Sequence, residues 1–199
     1  MNNFLFVIII LFHFACKKEK THDNNSSNQL IIPKVLELKS SKDLKISGDT
    51  VYFKSKKYSG FLYELNPYSK DTLLLEGYLD GLLNGISRKW YENKILMEER
   101  QYKNGKKNGK HIAYWENGKM KFIFIAKNDA YEGEMREWAS NGKLYHLSNY
   151  MNGQEEGPQK MWYENGKIRA NYFIRNGKRF GLLGTKNCKN VSDSIFVVK

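Results

Sequence analysis

The chain has 199 residues and a formal net charge of +12, from 33 Lys and Arg against 21 Asp and Glu, with 14% aromatic residues and two cysteines. That length fits one domain of ordinary size, and two cysteines in an exported chain would ordinarily invite a single disulfide. Only six of the cations are arginines (Arg88, Arg100, Arg136, Arg169, Arg175 and Arg179), and phosphate sites favour the bidentate guanidinium, so the basic balance argues against a nucleic-acid partner.

Residues 1–15 carry no charged side chain and hold the apolar run Phe4 to Phe12. A helix needs roughly 20 residues to cross a bilayer, so this run is too short to span and fits the apolar core of a secretory signal peptide. The small Ala15 stands directly before Cys16, and Lys17-Lys18-Glu19-Lys20 comes at once after it. This junction resembles a bacterial lipoprotein signal. The resemblance implies export, acylation of Cys16 and attachment to a membrane of the bacterial cell envelope. The same residues allow an uncleaved N-terminal anchor. With Cys16 acylated, Cys188 has no partner and reads as a semi-buried small residue. Residues 16–29 are polar and read as a disordered tether, with a reach on the order of 20 Å.

Residues 30–50 alternate weakly (Leu36, Leu38, Leu44, Ile46), which predicts one or two leading strands that cap a repeat array. The array occupies residues 51–184. Trp162-Tyr163-Glu164-Asn165-Gly166-Lys167-Ile168 is echoed by Tyr114 to Met120 and Trp138 to Leu144, and by Trp90 to Ile95, which lacks the glycine. Upstream of each copy stands one glycine, and Gly85, Gly109, Gly133, Gly157 and Gly181 succeed one another every 24 residues, with Gly60 heading a degenerate first unit. Self-similarity at such a period means an array of stacked units. Each unit holds two turn signals: Asn-Gly-Lys after the aromatic pair, and Asn-Gly or Asp-Gly four residues before the periodic glycine. Between them lie short runs rich in Tyr, Phe, Trp and Ile, so each unit reads as a β-hairpin with type I′ turns. The fold class is therefore all-β, an elongated antiparallel meander of stacked hairpins on the order of 50 Å long.

Trp90, Tyr114, Trp138 and Trp162 lie five residues after their glycine, and Met120, Leu144 and Ile168 lie eleven after. A side chain at one offset points the same way in every unit, so these are expected to form the core stripe. The glycines are expected at close approaches or bulges. Tyr91, Trp115 and Tyr163, six after the glycine, are candidate binding residues, although Ala139 interrupts their row. In residues 185–199 the run Ile195 to Val198 is expected to cover the last sheet edge.

These motifs resemble the bacterial MORN-like repeat, and most closely the YwqK-like proteins, described as antitoxin or immunity partners of exported toxins. The resemblance spans about residues 50 to 182 and implies a binding scaffold with a protein partner. No catalytic constellation accompanies it. His111 and His146 occupy different offsets, Glu92, Glu116 and Glu164 read as solvated turn residues, and Asn104 to Lys110 lacks phosphate-loop spacing. No metal or cofactor site is expected, since Cys16 to His22 belongs to the processing site and tether. The expected function is thus a lipid-anchored, non-enzymatic interaction scaffold. The alternative is an envelope carbohydrate-binding module that stacks sugars on Tyr91, Trp115 and Tyr163.

Overall fold

The computed structural model describes residues 31–182. The expected signal peptide, Cys16, the expected tether, Cys188 and the covering strand expected within residues 185–199 lie outside them. Among the described residues, 32–182 belong to one unit. Its described residues contain strands and turns and no helix.

A 14-stranded sheet carries the array. Its main path runs Leu36–Leu38, Gly60–Leu65, Thr72–Leu79, Gly85–Trp90, Leu96–Lys103, Lys106–Tyr114, Met120–Lys127, Ala130–Trp138, Leu144–Met151, Gly157–Trp162, Ile168–Arg175 and Lys178–Leu182. Apart from the first strand, each neighbour in space is the neighbour in sequence. Hairpins of local contacts are what the two turn signals dictate, and the all-β meander read from the sequence is the fold observed.

Two expectations about the leading segment change. Leu36–Leu38 pairs with Gly60–Leu65 in parallel, as an edge strand on an otherwise antiparallel sheet. The array boundary placed at residue 51 moves to Gly60, because Thr50–Phe53 pairs with Leu44–Ser47 and Lys56–Lys57 in a separate three-stranded sheet. The small sheet is fastened to the first unit. Val51, Tyr58, Leu62 and Tyr78 form a buried cluster, and the Tyr58 hydroxyl donates to the carbonyls of Phe61 (3.0 Å) and Val35 (3.2 Å).

The two turn signals fold differently. Asn104-Gly105, Asn152-Gly153 and Asn176-Gly177 have positive φ at both residues, the I′ requirement. The Asn-Gly-Lys turns do not, which corrects the type I′ assignment there. Asn117 keeps negative φ and its Oδ1 accepts the Lys119 amide (3.1 Å), while Gly118 alone is left-handed (φ 79°) and donates to the Trp115 carbonyl (2.8 Å). That is the longer hairpin loop, a type I turn closed by a left-handed residue.

Both rims are laced from unit to unit. On the I′ side, the amides of Gly81, Gly105, Asp129 and Gly153 donate to the carbonyls of Tyr58, Leu83, Lys107 and Tyr131, at 2.7 to 3.0 Å. On the other side, Asn93 Nδ2 reaches the Glu116 carbonyl (3.2 Å), Asn117 Nδ2 that of Ser140 (2.7 Å), and Lys143 Nζ that of Glu164 (3.2 Å). Repetition of these bonds fixes the stacking independently of the core.

Candidate functional site

Two of the residues six after a periodic glycine turn out to be staples. Tyr91 Oη donates to the Tyr114 carbonyl (3.1 Å) and Trp115 Nε1 to that of Trp138 (2.9 Å). Both rings are half-buried, and Lys121 Nζ covers the Trp115 ring at 4.5 Å. Tyr163 is exposed. The three do not form one free platform for a ligand.

The expected core stripe is also corrected. Trp90, Tyr114, Trp138 and Trp162 are half-buried, because a bulge shifts the register just before each of them and sets them toward the rim. The most buried line runs two residues after each glycine and fifteen after, along the middle of the same face. Register places Leu62 opposite Glu76, Ser87 and His111 on either side of Arg100, His111 opposite Phe124, and Met135 opposite Ser148. His146 and Leu147 face Met161 and Lys160, so Ser148 stands beside Gln159. Much of this mid-line is polar: His111 and Ser148 are 0% exposed and Gln159 1%.

Some of these groups are satisfied internally. Gln159 Nε2 donates to the Asn149 carbonyl at 2.8 Å, and Tyr78 Oη donates to Glu76 at 3.0 Å. Burial would push the Glu98 carboxyl up, but Arg100 (2.7 Å) and Lys89 (3.1 Å) hold it below the usual range. Others are not satisfied. Ser148 Oγ and His146 Nε2 are buried without hydrogen bonds, although His146 Nδ1 meets Glu137 Oε2 at 2.6 Å. Neither ring nitrogen of His111 has a regular hydrogen bond, the nearby Gln101 backbone offering at most a weak contact. A buried polar group without a partner costs about 1 to 3 kcal/mol, so the mid-line is stabilised by its packing rather than its polarity. His111 and His146 share this face but stand several strands apart. They form no common site.

The opposite face is open at the C-terminal end. Strand Ile168–Arg175 reads exposed, exposed, buried, exposed, half-buried, exposed, buried, exposed, so Arg169, Asn171 and Phe173 point away from the buried Ala170 and Ile174. On the neighbouring strand Pro158 and Lys160 are exposed around the buried Gln159. Among the described residues no group of three or more His, Cys, Asp or Glu could hold a metal ion. Glu92, Glu116 and Glu164 are exposed at turns.

Four consecutive segments, 83–104, 107–128, 131–152 and 155–176, match the MORN repeat variant. Each begins two residues before a periodic glycine and ends on the I′ turn, so the matched segment coincides with one hairpin of the sheet. These four tandem segments are thus similar to MORN repeats, with the Gly60 unit before them and Lys178–Leu182 after. No curated protein matches the chain.

Proposed function

We propose that this protein is a non-catalytic interaction scaffold of a bacterial cell envelope, exported and held to a membrane through lipid on Cys16, which presents one face of its repeat array to a protein partner. The antitoxin-like resemblance names a toxin as the partner class. The observation that carries the reading is the division of labour between faces in the last units. One face is closed around Gln159, Ala170 and Ile174, while the other exposes Pro158, Lys160, Arg169 and Phe173. Because backbone bonds at the rims fix the stacking, the outward offsets are free to differ from unit to unit. They read Lys110 in one, Glu134 and Arg136 in the next, then Pro158 and Lys160. The sugar-stacking alternative loses weight, since Tyr91 and Trp115 hold neighbouring units together.

The test is cross-linked capture from envelopes with the intact protein and with Cys16→Ala, reading acyl mass in the same samples. The expected result is one dominant protein partner and acylation of Cys16. Recovery of no protein, together with a saturable tryptophan fluorescence shift on titration with envelope polysaccharide, would overturn the scaffold reading in favour of the carbohydrate one.

A further inference from the structure

The open face of the last units is organised in two rows that run across the strands. In one row Pro158 pairs with Phe173 and Phe173 with Phe180, three exposed apolar side chains side by side. In the other, Arg136 faces Leu147 and Leu147 faces Lys160. Arg169 lies on the same face, two residues before Asn171, the partner of Lys160. Along a strand, same-face residues are about 7 Å apart, so the cationic row and the apolar row lie side by side at about that spacing. Lys160 and Arg169 make no ion pair among the described residues. The nearest acid in these rows is Glu134, already engaged by Arg136 at 2.6 Å.

We propose that this patch docks an acidic amphipathic segment of a protein partner, its carboxylates against Lys160 and Arg169 and its apolar side chains against Pro158, Phe173 and Phe180. The assignment rests on the scaffold reading and specifies the partner's chemistry. Charge complementarity selects the acid, and the adjacent apolar row selects a segment with two unlike edges over a bare polyanion. A lipid surface fits less well: the two rows of cations and apolar side chains are narrow, and a carboxylate, Glu134, stands at their margin.

The experiment measures anisotropy of a labelled synthetic peptide that alternates Asp and Glu with Leu and Phe, titrated with the full chain. Lys160→Glu with Arg169→Glu is expected to weaken binding by about tenfold or more. Phe173→Ser is expected to weaken it several-fold at unchanged salt dependence. Lys56→Glu with Lys57→Glu makes the same charge change on the small sheet and is expected to leave binding intact. Every substituted position is exposed, and thermal melts establish that each variant is folded. Equal weakening by the control pair, absence of saturable peptide binding, or binding to phosphatidylglycerol vesicles but not to peptide would each overturn the proposal. If envelope capture recovers a partner whose yield is unaffected by Lys160→Glu with Arg169→Glu, this patch is refuted and the scaffold reading stands. If the peptide binds here but no partner is captured, the failure belongs to the scaffold reading.

Discussion

The His111 imidazole lies flat against the Phe124 ring, 4.8 Å between centroids and 2° from parallel, with Tyr102 edge-on at 5.9 Å. Burial, and then the nearby charges of Arg100 and Lys107, push this imidazole down to about 4, against the weaker opposing pull of the Gln101 backbone and Glu98. The unfolded chain holds His at about 6.5, so between about pH 6.5 and 4 the unfolded state binds a proton that the native state refuses. Stability is therefore complete above pH 6.5 and falls as the pH drops toward 4, by on the order of 2 to 3 kcal/mol. Urea midpoints at pH 7 and pH 5 are expected to diverge in the parent chain and to draw together in His111→Leu. An equally steep decline in that variant would assign the pH dependence to other groups.

Gly109 and Gly133 occupy the same place in successive units, yet alanine should be tolerated unequally. Both have positive φ, 111° and 71°. A Cβ at Gly133 meets nothing, while at Gly109 it collides with the Gln101 side chain. Gly133→Ala is expected to cost about 1 kcal/mol from backbone conformation alone, and Gly109→Ala measurably more. Shortening the obstacle with Gln101→Ala should recover part of the excess in the double variant. It should not repair Gly133→Ala.

The 24-residue period, the hairpins and the places of their turns were legible because glycine, asparagine and the aromatics are required by backbone geometry and recur at fixed offsets, whereas the class of the Asn-Gly-Lys turns was not. The buried mid-line was not. Its members two after the glycine are Ser87, His111, Met135 and Gln159, and a hydropathy pattern reads three of these four as surface. Their common offset was the available signal, since equal spacing puts unlike side chains on one line. The aromatic row was correctly assigned to one face but too deeply within it, because a bulge before each ring is invisible to simple alternation. Leu36–Leu38 was legible as a strand, whereas its parallel pairing depends on Tyr58 and Val35 contacts that no local pattern encodes. Of the candidate binding row, spacing identified the residues, but the role of Tyr91 and Trp115 depends on a carbonyl 23 residues away.

Lys94 shows what a missing glycine does. In its turn the lysine occupies the left-handed position (φ 68°) that Gly118 takes one unit later, and its amide donates to the Tyr91 carbonyl at 3.0 Å. A non-glycine residue there is strained by roughly 1 kcal/mol. The ion pair of Lys94 with Asp71, at 3.0 Å on a largely exposed lysine, offsets little of that. Lys94→Gly is expected to raise the urea midpoint by the equivalent of at most about 0.5 kcal/mol, once the freer unfolded chain is set against the relieved strain. A lowered midpoint would mean that the ion pair outweighs the backbone term.

Ala139 interrupts the row of Tyr91 and Trp115, and the gap can be filled. Trp115 ties its unit to the Trp138 carbonyl, and Ala139 stands where the next such ring would reach toward Trp162. Removing the indole donor while keeping an aromatic, as Trp115→Phe, is expected to cost about 0.5 to 1.5 kcal/mol, the usual net worth of one hydrogen bond. Ala139→Tyr is expected to add a similar amount by supplying the missing donor and covering the rim. Because Trp115 bonds the carbonyl of the peptide that joins Trp138 to Ala139, the two sites are neighbours, and their effects are expected to couple in the double variant by about 0.5 kcal/mol or more. Strict additivity would show instead that each staple acts on its own interface and that the backbone they share between Trp138 and Ala139 transmits nothing.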